Sequence, residues 1–178
     1  MEQKYSIGID PGWKNLGLAI VKEDESGLAL VLSQTLNPSS RGLHKAVHDI
    51  KSIIQQATSS VAPIPAAIER YVSYNNVLTA ESENILMLIG GVSCMLEDAG
   101  CPVFLHRAID WKMELVKLLV KNKGFDNPSS TLDKKFSVAA AKACLDVQGE
   151  FNDHHEADAI CLASVCLLKD RYAKNRSR

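Results

Sequence analysis

The chain has 178 residues, 46% hydrophobic and 23% charged, which suits one folded domain and excludes a largely disordered chain. No run approaches the roughly 18 apolar residues of a membrane-spanning helix, and MEQKYSIGID lacks the pattern of an export signal, so a cytoplasmic protein without a membrane partner is expected. The net charge of −1 is unevenly spread: residues 105–142 hold eight basic and four acidic groups, residues 143–168 five acidic and no basic ones, and residues 169–178 five basic and one acidic. The basic blocks could follow a phosphate backbone or be plain solvated surface, and charge alone leaves both open. Five cysteines without C-x-x-C spacing read as reduced thiols, not as a disulfide or zinc framework.

Tyr5 to Ile9 alternates before Asp10-Pro11-Gly12 and reads as a strand ending in a turn. Leu16–Val21 and Gly27–Leu36 complete an antiparallel meander. Leu43, Val47, Ile50, Ile54 and Ala57 have helical spacing. Pro63 and Pro65 precede a buried strand over Ala66–Val72 (AAIERYV). Thr79–Ala99 is a long helix closed by Gly100, and Val103–Leu105 is a fifth strand. Trp111–Lys121 reads as an amphipathic helix, Gly124–Ser130 as a loop, and Ser130-Thr-Leu-Asp133 as a capping start for a helix running towards Val147. Asp153 with Glu156 three residues on opens a last helix through Leu168. The order βββαβαβ followed by helices gives one mixed-sheet α/β domain over residues 1–168, with a basic tail over 169–178.

Three acids stand where folding alone would not put them. Asp10 ends the first strand, Glu69 interrupts an apolar strand, and Asp158 lies in an alanine-rich helix. A buried carboxylate costs several kcal/mol unless it is paired or holds a cation. His155 and Asp158 are spaced i, i+3 and share a helix face. Carboxylates with an imidazole suit hard divalent cations, Mg²⁺ or Mn²⁺, two of which can clamp the attacking and leaving oxygens of a phosphodiester. Each acid also has a plainer reading: Asp10 as a turn residue, Glu69 paired with Arg70, His155 and Asp158 as first-turn helix residues. His154 reads as a neighbour of the ligand set and Asp153 as an N-cap.

Taken together, Ile7-Gly-Ile-Asp10-Pro-Gly12, Ala67-Ile-Glu69 and His155-Glu-Ala-Asp158-Ala resemble the RuvC-type Holliday-junction resolvases of the ribonuclease H-like superfamily, over about residues 4–168. The resemblance implies a five-stranded mixed sheet, three antiparallel strands then two parallel, flanked by helices. It also implies a homodimeric endonuclease that uses two Mg²⁺ or Mn²⁺ ions per active site, and no organic cofactor, to cut a four-way DNA junction symmetrically and leave 5′-phosphates. By motif, Asp10, Glu69 and Asp158 match the family's catalytic metal-binding acids, and His155 falls where many members have aspartate and some have histidine. Lys112 and Lys135, with Lys134 as the alternative register, resemble lysines that approach the scissile phosphate, and Arg107 and Lys117 would track the DNA backbone. An aromatic expected after the second acid is replaced by Val72, which leaves Tyr74, or Tyr71, to stack on an unpaired base. Gly90-Gly91 would let the helix of residues 79–99 pack closely, either at the family's dimer interface or inside the protomer. Other readings are a related nuclease of other branched DNA or RNA, or a junction-binding protein without catalysis. An actin-like ATPase, suggested by the glycine pattern after Asp10, needs far more chain.

Overall fold

A computed structural model describes residues 4–58, 63–73, 78–126, 131–145, 151 and 153–176. Five strands, β1 (Lys4–Asp10), β2 (Leu16–Asp24), β3 (Gly27–Leu36), β4 (Ala66–Glu69) and β5 (Val103–His106), form one sheet in the order β3-β2-β1-β4-β5. β1, β2 and β3 pair antiparallel, while β4 runs parallel to β1 and β5 parallel to β4. Five helices flank it: α1 (Leu43–Thr58), α2 (Ala80–Asp98), α3 (Ala108–Lys123), α4 (Lys134–Leu145) and α5 (His154–Arg176). This is the expected mixed-sheet architecture.

Successive residues of a strand face opposite sides of its sheet, and that period divides the core. Ile7 and Ile9 of β1, Leu18 and Ile20 of β2, and Ala66 and Ile68 of β4 pack with Ile50 and Ile54 of α1 and Leu88, Val92 and Leu96 of α2. The alternate positions Ala19, Val21 and Ala67 join a second core with α3, α4 and α5, built around Trp111, Leu115, Phe136, Ala140 and Ile160. By the same period Asp10 shares the face of Gly8, and Glu69 that of Ala67, so both acids face the α5 side. Ile9 pairs with Ile68 in parallel register, which makes Asp10 and Glu69 neighbours at the ends of adjacent strands.

Gly8 and Gly17 set the distance between sheet and α5. A Cβ at Gly8 would overlap the Ala159 carbonyl oxygen, and one at Gly17 the His155 carbonyl oxygen. Here glycine serves close backbone approach. With alanines on the facing side, α5 lies directly on β1 and β2, its polar Ser164 and its aliphatic residues buried alike.

Several boundaries differ from expectation. β4 stops at Glu69, not Val72: Arg70 N–H still reaches the His106 carbonyl at 2.7 Å, but Tyr71 then turns towards α2 and its hydroxyl meets Ser82 Oγ at 2.7 Å. α3 starts at Ala108, three residues before the expected Trp111. The cap of α4 is Asp133, not Ser130: its carboxylate accepts from the N–H groups of Lys135 (2.9 Å) and Phe136 (3.2 Å). Ser130 itself lies outside the described residues. α5 continues to Arg176, so most of the basic tail is helical. A 3-10 turn at Pro38–Ser40, capped by Asn37, adds an element between β3 and α1 that the reading of the sequence does not include. Thr79 caps α2 by accepting from Ser82 N–H, and Gly124, at φ +61°, ends α3 where the loop is expected.

Candidate active site

The site forms where the C-terminal ends of β1 and β4 meet the first turn of α5. Asp153 fixes that turn. Its Oδ1 accepts from Glu156 N–H at 3.0 Å as the N-cap, and its Oδ2 accepts from the Thr35 hydroxyl of β3 at 2.7 Å. One turn of helix then presents His155 and Asp158 towards β1. His155 Nδ1 lies 2.7 Å from Asp10 Oδ2.

Each of the three acids has a donor from the chain itself. Asp10 has His155, whose proton affinity is raised by that hydrogen bond against the opposing effect of burial. Glu69 Oε2 accepts from the Trp111 indole N–H at 2.9 Å. Asp158 Oδ1 forms an ion pair with Lys112 Nζ at 3.4 Å, both side chains nearly buried. Oδ1 is shielded from solvent, and Ser137 adds a further stabilising contact to the carboxylate.

The acids also feel one another. Burial, then the charge of Asp10, then that of Asp158 push the Glu69 carboxyl up to about 7, although the Trp111 N–H and Lys112 oppose the shift. Burial and Asp10 likewise raise Asp158, while Lys112 pulls it down. Their side chains therefore share one electrostatic site, as the sequence motifs require.

The donor chemistry fits a hard divalent cation: three carboxylates at one site, of which Glu69 and Asp158 have raised proton affinity, and an imidazole on the same helix face as Asp158. Among the described residues no three such groups already close into a coordination shell. The acids instead rest on His155, Trp111 and Lys112.

The other candidates are distributed unevenly. Lys112 is at the site. Lys134 lies near enough to His154 to lower its proton affinity, behind the larger effects of burial and of His155, whose ring is centred 4.0 Å away. Lys135 is exposed on the first turn of α4. Arg107 is exposed and its guanidinium is held by Asp110 at 2.7 and 2.9 Å. Lys117 lies five residues beyond Lys112, about 140° round α3, and points to solvent. Tyr71 is half-buried with its hydroxyl on Ser82. Tyr74 lies outside the described residues.

Two features of the site are not evident from sequence patterns. Trp111 looks like one more apolar position of an amphipathic helix; the available signal is an indole immediately before a candidate active-site lysine. Arg70 and Arg107 line a hollow of about 390 Å³ beside Glu69, with Pro11, Tyr71 and Ile109 on its walls. The sequence suggests Arg70 only as a partner for Glu69.

Comparison with known proteins bears on this geometry. The family model for crossover junction endodeoxyribonuclease RuvC matches residues 6–166. RuvC of Rickettsia prowazekii is 26% identical over 172 residues, 93% of this chain and 98% of that protein, and RuvC of Rickettsia bellii is 25% identical over the same shares. Among solved structures, Thermus thermophilus RuvC in complex with Holliday junction substrate superposes with a TM-score of 0.70 at 19% identity, covering 94% of this chain and 96% of that one. A second T. thermophilus RuvC structure gives 0.68 at 20% identity, over 95% and 96%. At these identities the superpositions speak to the fold, which is ribonuclease H-like. The family match, which runs from β1 into α5 and spans Asp10, Glu69, His155 and Asp158, goes further: this chain belongs to the RuvC family of crossover junction endodeoxyribonucleases.

Proposed function

We propose that the protein resolves four-way DNA junctions in the cytoplasm as a homodimer, hydrolysing one phosphodiester per protomer in a reaction dependent on Mg²⁺ or Mn²⁺ and leaving 5′-phosphates. The observation that carries this reading is the meeting of Asp10, Glu69 and Asp158 at one end of the sheet, close enough that the charge of Asp10 raises the proton affinity of both Glu69 and Asp158. Asp10, Glu69, His155 and Asp158 would hold two cations, which would supply positive charge to the attacking and leaving oxygens.

The chain's own groups prepare that chemistry. His155 pairs with Asp10 in the metal-free chain, and in its neutral form it would offer a nitrogen ligand. Lys112 keeps an ammonium group at the site, where a phosphate oxygen can replace Asp158 as its partner. Arg70 and Arg107 beside Glu69, with Lys134 and Lys135 on the opposite rim at α4, can hold the flanking backbone. Burial of the carboxylates strengthens every electrostatic contact the scissile phosphate would make.

A two-fold junction calls for two sites related by symmetry. The outward side of α2 exposes Leu86 and Met87 (43% and 50%), and edge strand β5 exposes Phe104 and Leu105 (48% and 52%). Gly91 packs inside the protomer, where a Cβ would sit 3.1 Å from Val47, whereas Gly90 faces open space on the outer side. That surface supports self-association through α2 and β5. Among the described residues no helix is long and apolar enough to cross a membrane.

The test is incubation with synthetic four-way, three-way and linear duplexes in Mg²⁺ or Mn²⁺, with nicks mapped to the nucleotide. Paired nicks at symmetric positions of the four-way substrate are expected. Equal cutting of all three substrates would assign the protein to a broader branched-DNA nuclease, and binding without cutting to a junction-binding role.

A further inference from the structure

Trp111 occupies an unusual position in this site. It is completely buried within the α3, α4 and α5 core, yet its N–H leaves that core to reach Glu69 Oε2 at 2.9 Å. The Lys112 ammonium sits 5.0 Å from the centroid of the same indole ring and 3.4 Å from Asp158. One side chain thus touches two branches of the site: Glu69 through its edge, and through its face the lysine that neutralises Asp158. A phenylalanine would keep an aromatic ring in the core but would lack the donor and leave part of the indole's volume unfilled.

We propose that Trp111 is a positioning residue that fixes the Glu69 carboxylate for cation capture. Glu69 is the last residue of β4, and although its backbone is still paired with His106 of β5, that pairing leaves the side-chain torsions free. The indole holds them, because its ring is immobilised among Leu115, Phe136 and Ala140. Carboxylates that ligate metals are themselves hydrogen-bonded, and loss of such an outer partner commonly lowers metal affinity by about 10- to 100-fold. An indole N–H is well matched to this role, since it donates, cannot accept and carries no charge to compete with the cation. The inference rests on the metal-dependent reading above and concerns a residue that reading does not use.

The experiment compares Mn²⁺ binding by wild type and Trp111→Phe, counted from the free-ion electron paramagnetic resonance signal well below the melting temperature. Trp111→Phe keeps an aromatic ring for Lys112 and the core and removes the donor together with part of the indole's buried volume. A tenfold or larger rise in Kd is expected, with metal-free junction binding unchanged. A folded Trp111→Phe protein whose Kd stays within about twofold of wild type overturns the proposal, even if its melting temperature falls. If wild type itself takes up no Mn²⁺, the metal-dependent reading fails, and this inference with it.

A second measurement covers a variant that does not fold. The chain has two tryptophans, so Trp13→Phe makes Trp111 the single indole. Mg²⁺ should then shift its emission saturably, and Glu69→Gln in that background should remove the shift. Emission indifferent to a cation that demonstrably binds would also count against the proposal.

Discussion

The two faces of the sheet are built on different terms. On one, α1 and α2 meet Ile7, Ile9, Ile20 and Ile68 through long aliphatic side chains. On the other, α5 meets Gly8 and Gly17 backbone to backbone. The first layer is ordinary core, able to absorb small changes by rotamer shifts. The second has no slack, and it is the one on which the candidate site lies. A helix held by side chains can drift by a fraction of an ångström, whereas one resting on glycines cannot approach or slide without collision.

The largest effect should come from removing that contact. Gly8→Ala or Gly17→Ala places a methyl on a carbonyl of α5, and each should cost about 4 kcal/mol or more in denaturant unfolding. A loss below about 1 kcal/mol would mean that the α5 face is as forgiving as the other. Next, Asp10→Asn should lower cleavage by about a thousandfold while leaving metal-free junction binding intact. Loss of binding with folding preserved would show that the acids serve recognition as well as chemistry.

A smaller effect sharpens the same contrast through pH. Glu69 holds its proton to about 7 in the folded chain, against an ordinary value of 4.5. Between those values the folded state binds more protons than the unfolded one, so its stability falls as pH rises through that window. His155 acts in the same direction: its raised proton affinity stabilises the fold at low pH, and this is lost as pH climbs through its folded value. Glu69→Gln should therefore stabilise the metal-free protein by about 2 kcal/mol near pH 8, with the gain vanishing towards pH 4.5. Equal stability of the two proteins at both pH values would place Glu69 in a more solvated setting than its burial indicates. The smallest change belongs to the forgiving face: Gly91→Ala meets only a movable Val47 methyl, and helix propensity should offset the squeeze to within about 1 kcal/mol.

Much of this is legible in the sequence because period-2 and period-3.6 patterns are local. The alternation Ile7-Gly8-Ile9-Asp10 already assigns Asp10 to the face of Gly8, and the i, i+3 spacing of His155 and Asp158 already places them together. The arrangement of the five strands in one mixed sheet comes from the family resemblance. What stays hidden depends on choices made in three dimensions. Tyr71 and Val72 have strand-forming character, yet the chain leaves the sheet after Glu69 to satisfy Tyr71 at Ser82. Thr131 to Asp133 holds more than one capping residue, and local hydrogen bonding favours the last. Trp111 fits an apolar stripe so well that its single polar atom is easily overlooked.

Six of the seven residues at or behind the candidate site come from regular elements. Asp10 and Glu69 end strands, Trp111 and Lys112 lie in the opening turns of α3, and His155 and Asp158 lie in the first turns of α5. The seventh, Asp153, caps that helix from the residue before it. The candidate metal ligands and the segments between β4 and α2 and between α3 and α4 are accordingly separable in this architecture: exchanging those segments between relatives should alter what the scaffold recognises while leaving the ligand set in place.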